Sequence, residues 1–279
     1  MTYKSLLTVL TDPKQSTTTL DQLVALADAQ DAHAEALCLG VDRSQTGYYY
    51  AGANALILQE TLNRANAEAE EVLALAKDHL SKSGVRWSAE SGVAQIADLG
   101  RHVAHRARFS DLVVLPRPYG ENRGAEAEPI IEAAMFEGHA PVLVVPDNRT
   151  AIKQPRTVLI GWNESVEAMR AIRLAMPFLK AAELVRIVVI DPPQHGPDRS
   201  DPGGLLSQML SRHGVKVEID VLSKTMTRVS DILNRHAADT DADMIVMGAY
   251  GHSRFREAIL GGATRNMLEM ASVPIFMAH

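Results

Sequence analysis

Three short stretches recur in the same order in the two halves of this chain. KSLLTVLT at 4–11 lines up with RTVLIGWN at 156–163, SDLVVL at 110–115 with ADMIVM at 242–247, and APVL at 140–143 with VPIF at 273–276. Each is an apolar run of strand length, and the spacing from the second to the third is nearly the same in both halves. A chain of 279 residues built this way holds the same supersecondary order twice. It predicts two domains of a size that supports an independent core, 1–148 and 149–279, joined through the polar, proline-bounded stretch PDNRTAIKQP at 146–155.

Within each half, apolar runs alternate with longer segments of helical periodicity. Strands are expected at 5–10, 34–41, 85–91, 111–115 and 141–145, with helices at 16–32, 55–81, 93–108 and 127–137. In the second half the strands fall at 157–162, 184–190, 215–222, 244–247 and 273–277, and the helices at 165–180, 204–212, 229–238 and 263–271. Strands separated by helices pair in parallel, so each half reads as an open, twisted, five-stranded α/β sheet with helices on both faces. Its ligands belong beyond the carboxyl ends of the strands, where the strand order reverses.

Composition excludes several classes. With 46% hydrophobic and 22% charged residues and one cysteine, Cys38 inside the apolar run AEALCLGV, no intrachain disulfide forms and the thiol is expected to be buried. Residues 1–148 carry 12 Lys and Arg against 20 Asp and Glu, and the remainder 16 against 14, far from a nucleic-acid footprint. No apolar run reaches membrane-spanning length and the N-terminus has too short an apolar core for a signal peptide, so no membrane partner and a cytoplasmic location are expected.

The chemistry concentrates in MGAYGHSRFREAILGGATRNMLEM, residues 247–270. A strand ends at Met247, turns through Gly248 and Gly251, and after nine residues reaches Gly261, Gly262, Ala263 and Thr264 at the start of a helix. Unpaired helix N–H groups and side-chain-free glycines suit an anion such as phosphate, to which the Thr264 hydroxyl could donate; glycines after a strand also serve plain turn geometry. Gly161 and Asn163 after the first strand of this half, and Val189 near the end of the second, should converge on the same crevice.

The spacing of Gly248, Gly251 and Gly261, with the closing strand entered through Val273-Pro274, resembles the nucleotide-binding signature of the universal stress protein family. The resemblance implies a Rossmann-like domain of the adenine nucleotide alpha hydrolase-like type in each half, and ATP, with or without Mg2+, on the phosphate-holding residues Gly248, Gly251, Gly261 and Thr264. It further implies nucleoside contacts at Asn163 and Val189, and a stress-response role in nucleotide-dependent binding or signalling. Two positions depart from the family's pattern: Gly262 stands where Ser or Thr is usual, and Asn163 where Asp is usual. The first half puts Pro116, Pro118, Glu126 and Glu128 in the corresponding region, where prolines remove donors and acids repel phosphate, so it is expected to be a degenerate partner. An intrachain pseudo-dimer through the closing strands is implied, with a homodimer as a further assembly.

Other constellations lead less far. No positioned nucleophile or base is visible, which leaves a slow ATPase using a base near His252, or a module that binds no nucleotide, as alternatives. A P-loop is excluded, since no Gly-Lys-Ser or Gly-Lys-Thr occurs. His102 and His105 lack a third metal ligand, and Tyr48, Tyr49 and Tyr50 are expected to pack in a contact. His252, Arg254 and Arg256 stand at the rim of the expected pocket.

Overall fold

The computed structural model describes residues 2–43, 55–120, 123–147, 149–192, 201–251 and 262–279. Gly261, the Tyr48 to Tyr50 cluster, His252, Arg254 and Arg256 lie outside them. The chain divides into two compact units, Tyr3–Ala140 and, together with Met1–Thr2, Pro141–His279.

In the first unit β1 (Ser5–Leu10) is apolar and buried because it is central, flanked in parallel by β2 (His33–Asp42) and β4 (Leu112–Pro116). Helix α1 (Pro13–Gln30) begins earlier than the expected residue 16. The cause is local: Asp12 caps it, its carboxylate accepting the Lys14 N–H at 2.9 Å, and Pro13 brings a preset helical φ. Helix α2 (Ala55–Ser81) is the longest of the described helices. Strand β3 (Arg86–Gln95) runs past the expected end at residue 91, because it pairs with β2 couple by couple from His33↔Arg86 to Asp42↔Gln95. Helix α3 (Ile96–Ala107) is correspondingly shorter at its start than expected, and α4 (Ala127–Phe136) follows β4. The strand order of this unit is β3-β2-β1-β4.

The fifth strand, β5 (Val142–Val145), belongs to the second unit, where it pairs antiparallel with the last strand, β10 (Ile275–Ala278). The couples Val142↔Met277, Leu143↔Phe276 and Val144↔Ile275 join the two closing strands expected to meet. The remaining strands are β6 (Thr157–Trp162), β7 (Leu184–Ile190), β8 (Val217–Leu222) and β9 (Met244–Gly248), in the order β5-β10-β9-β6-β7-β8 and parallel throughout apart from β5. The helix expected at 165–180 is two, α5 (Val166–Leu174) and α6 (Met176–Ala181). Pro177 in the first turn of α6 has no N–H for the α5 ladder, so the chain restarts there. Helices α7 (Gly204–Arg212), α8 (Val229–Asp239) and α9 (Ala263–Met270) complete the unit.

Both units pin their first strand in the same way. The Asp111 carboxylate accepts the backbone N–H groups of Lys4 and Ser5 at 2.6 and 3.0 Å. In the second unit Asp243 accepts those of Arg156 and Thr157 at 2.8 and 3.1 Å. These charge-assisted bonds fix the register of β1 on β4 and of β6 on β9.

Candidate functional site

The strand order of the second unit reverses at β6, with β7 on one side and β9 on the other. Beyond their carboxyl ends lies a cleft of about 560 Å³, within the range of small-molecule sites. Gly161, Asn163, Val189, Met247, Gly248, Gly251, Gly262, Ala263 and Thr264 all line it. Of the residues expected to hold the ligand, Gly261 lies outside the described part of the chain, as do His252, Arg254 and Arg256 of the expected rim.

Turn chemistry builds the β6 side. Asn163 Oδ1 accepts the Ser165 N–H at 3.2 Å, and Ser165 Oγ caps α5 by accepting the Ala168 N–H at 3.1 Å. Between them Glu164 is left-handed, with φ 61°. The asparagine oxygen therefore turns the chain. At the end of β7, Asp191 is also left-handed, φ 52°, and its N–H donates to the Leu222 carbonyl at 2.9 Å.

On the β9 side the glycines answer first to packing. A Cβ on Gly248 would lie 2.4 Å from the Ala168 nitrogen and 2.7 Å from the Glu167 carbonyl carbon, so the first turn of α5 occupies the space a side chain would need. At Gly251 the nearest atom to such a Cβ is Glu167 Oε2, at 3.1 Å. Tyr250 stands between, left-handed at φ 57°, and its N–H donates to Thr264 Oγ1 at 3.1 Å. Thr264 is 2% exposed. Its hydroxyl oxygen thus ties the β9 turn to α9. Gly262 is the α9 N-cap residue, with φ −58° and ψ 152°, a conformation open to any residue.

Val188, Ile190, Val229 and Leu233 join Val189 and Met247 as apolar wall, and Trp162, Glu164, Asp191 and Pro192 complete the lining. Among the described lining residues, Glu164 and Asp191 carry the only formal charges. The sequence reading did not single out Glu164, Val188, Val229 or Leu233. The α8 pair, Val229 and Leu233, is four apart on an amphipathic helix, which marks one face but not what that face meets.

The corresponding end of the first unit is filled from within. Gly40 follows Cys38, the couple of Leu10, by two positions, as Asp191 follows Val189, the couple of Trp162. A Cβ at Gly40 would fall 1.8 Å from the Ala65 carbonyl oxygen, because α2 lies on it. Arg43 Nη2 holds Glu126 Oε1 at 2.6 Å and its Nη1 holds Glu68 at 3.2 Å. Glu126 is 3% exposed, and a Cβ on Gly124 would meet its carboxylate at 2.3 Å.

Elsewhere, Cys38 is buried, and burial pushes its thiol up to about 12, as expected of an unreactive cysteine. No group of three or more metal-binding side chains occurs among the described residues. His105 instead packs edge-on against Phe109. No described helix is long and apolar enough to cross a membrane.

Comparison with known proteins places these features. Residues 155–279 match the universal stress protein family. The chain is 28% identical over 153 residues to the universal stress protein Slr1230 of Synechocystis, a match that spans 54% of this chain and half of that protein's length. Among solved structures, a universal stress protein of Archaeoglobus fulgidus superposes with a TM-score of 0.74 at 15% identity, covering 98% of this chain and 96% of its own. The cytoplasmic domain of a prokaryotic cation chloride cotransporter superposes with 0.52 at 14% identity, over 99% and 95%. At such identities the likeness is one of fold. The universal stress protein family match falls on the unit that holds the cleft.

Proposed function

We propose that the cleft of the second unit binds an adenine nucleotide, ATP with or without Mg2+, and that the chain acts in a stress response by nucleotide-dependent binding or signalling rather than turnover. The observation that carries this reading is the convergence of nine separately expected residues, from three strand ends and one helix start, on a single cleft at the switch point. The residues present fit such a ligand. Val188, Val189, Met247 and Leu233 offer an apolar bed for a base, and the N-terminus of α9, with no side-chain cap at Gly262, offers the positive end of its dipole to a phosphate. The first unit, closed by α2 and the Arg43 to Glu126 contact, acts as a partner without a nucleotide of its own.

One observation favours the rival reading, a module that binds no nucleotide: the side-chain oxygens of Asn163 and Thr264 are both engaged within the protein. Two measurements separate the readings. Purified protein is denatured and the released small molecules identified by mass spectrometry, and the intact chain is titrated with ATP by calorimetry. Binding that Gly262→Asp abolishes supports the nucleotide site; absence of both bound nucleotide and ATP heat leaves the module.

A further inference from the structure

Two cleft residues are left unused by the nucleotide reading, Asp191 and Glu164. They close neighbouring strands: β6 and β7 pair in parallel up to Trp162↔Val189, and each acid stands two positions beyond that couple. Both hold left-handed backbone, with φ 52° and 61°, a region that disfavours side-chain-bearing residues and that the surrounding structure must impose. At Asp191 the bond to the Leu222 carbonyl imposes it, and at Glu164 the Asn163 and Ser165 turn does. Both line the cleft, and both are exposed to whatever enters it.

Asn163, the residue expected to meet the nucleoside, spends its oxygen on Ser165. The negative charge among the described lining residues at this end of the cleft resides in the two carboxylates. An ionised carboxylate only accepts, and its two oxygens can take the O–H groups of two adjacent hydroxyls at once. In doubly wound sheets an acid at the end of the second strand is placed for a ribose, and β7 is the second strand of its unit. A negative group at the same place would be repelled.

We propose that Asp191, supported by Glu164, reads the free vicinal diol of a ribose, so that the cleft selects ribonucleotides over 2′-deoxy and 2′-phosphorylated ones. This rests on the nucleotide reading of the same cleft and adds a specificity residue to it. The test is calorimetric titration of the intact chain with ATP and with 2′-deoxy-ATP. The wild type binds ATP about tenfold more tightly, the scale of one or two hydrogen bonds to a charged acceptor. Asp191→Gly removes the carboxylate while allowing the left-handed turn; it weakens ATP more than 2′-deoxy-ATP, which loses only the bond to its 3′-hydroxyl, so that the two nucleotides bind equally. Asp191→Asn, which also tolerates that turn, falls between. Equal affinities in the wild type, or discrimination that survives in Asp191→Gly, overturns the assignment while the nucleotide reading stands. No heat with either nucleotide overturns both.

Discussion

The two units begin from the same strand pattern and fill the carboxyl end of the sheet differently. In the first, the 27 residues of α2 reach back over the end of β2 and press on Gly40, and Arg43 links α2 to the buried Glu126 ahead of α4. In the second, the counterpart helix α7 has 9 residues, and the position equivalent to Gly40 is Asp191 at the lip of a cleft. An insertion of helix thus decides whether a strand end is core or pocket. Deleting side chains there should cost stability in the first unit and ligand in the second.

Gly40→Ala sets the outer limit of that comparison. Its Cβ would lie 1.8 Å from a backbone oxygen that the α2 hydrogen-bond ladder holds in place, so the expected loss is about 3 kcal/mol, at the upper end of overpacking. Gly161→Ala in the second unit meets only ordinary contacts, Leu233 Cδ1 at 3.5 Å and Met247 Cβ at 3.6 Å, and should change stability by less than about 0.5 kcal/mol. Urea unfolding of both variants checks this; equal losses would show that the first unit is no more closed than the second.

How much of this was legible beforehand follows from where the forces act. The central strands β1, β6 and β7 are mostly apolar runs, broken in β7 by Arg186, and their bounds could be read because burial leaves that mark in the residues themselves. The extension of β3 through Gly92 and Val93 left no such mark, since it arises from pairing with β2. The convergence of Gly161, Val189 and Gly248 was legible from topology. What Gly248 touches was not: its closest neighbours belong to α5, some 80 residues earlier by the numbers of Ala168 and Gly248. Glu164 hid for a related reason, because a left-handed acid looks like any loop acid until the backbone is seen.

Glu126→Ala tests the filling of the first unit more gently. The carboxylate is 3% exposed, and its partner Arg43 keeps 47% of its side chain in solvent. Removing one member of a buried pair usually costs about 3 to 5 kcal/mol, but a guanidinium that can be rehydrated is a smaller loss, and about 2 kcal/mol is expected. ATP affinity should not change. A fall in affinity would mean that the first unit takes part in binding.

Gly262→Asp makes the converse test in the second unit. At φ −58° and ψ 152° the N-cap position accepts a side chain, and Asp is a favoured residue there, so the melting temperature should hold or rise slightly. The same carboxylate stands at the helix start offered to a phosphate, and ATP affinity should fall by about tenfold or more. Wild-type titration should give one nucleotide per chain. A stoichiometry near two would show that the first unit's prolines and acids do not prevent binding.

The smallest expected difference concerns acid. On the flank of the second sheet, Asp220 of β8 receives Arg186 Nη1 at 3.0 Å on each oxygen and His236 Nε2 at 2.7 Å, while Arg186 Nη2 reaches Glu218 at 2.8 Å. In the first unit Arg106 of α3 performs the clamp alone, holding Glu35 at 3.1 Å and also pairing with Glu90. Burial pushes the Asp220 carboxyl up, but the hydrogen bonds and charges of His236 and Arg186 outweigh it and hold it below the usual carboxylate range. A depressed folded-state value means the ion pair contributes its full stability above the unfolded pKa of about 3.9 and loses it as pH falls through the lower, folded one. Asp220→Asn should therefore be less stable than the wild type near neutral pH, by about 1 kcal/mol. The gap should close as pH drops below about 4, because the wild-type carboxylate then takes up its proton as well. Denaturant melts across that range read the difference directly. A gap that persists unchanged in acid would assign the loss to altered packing at this position of β8 rather than to charge.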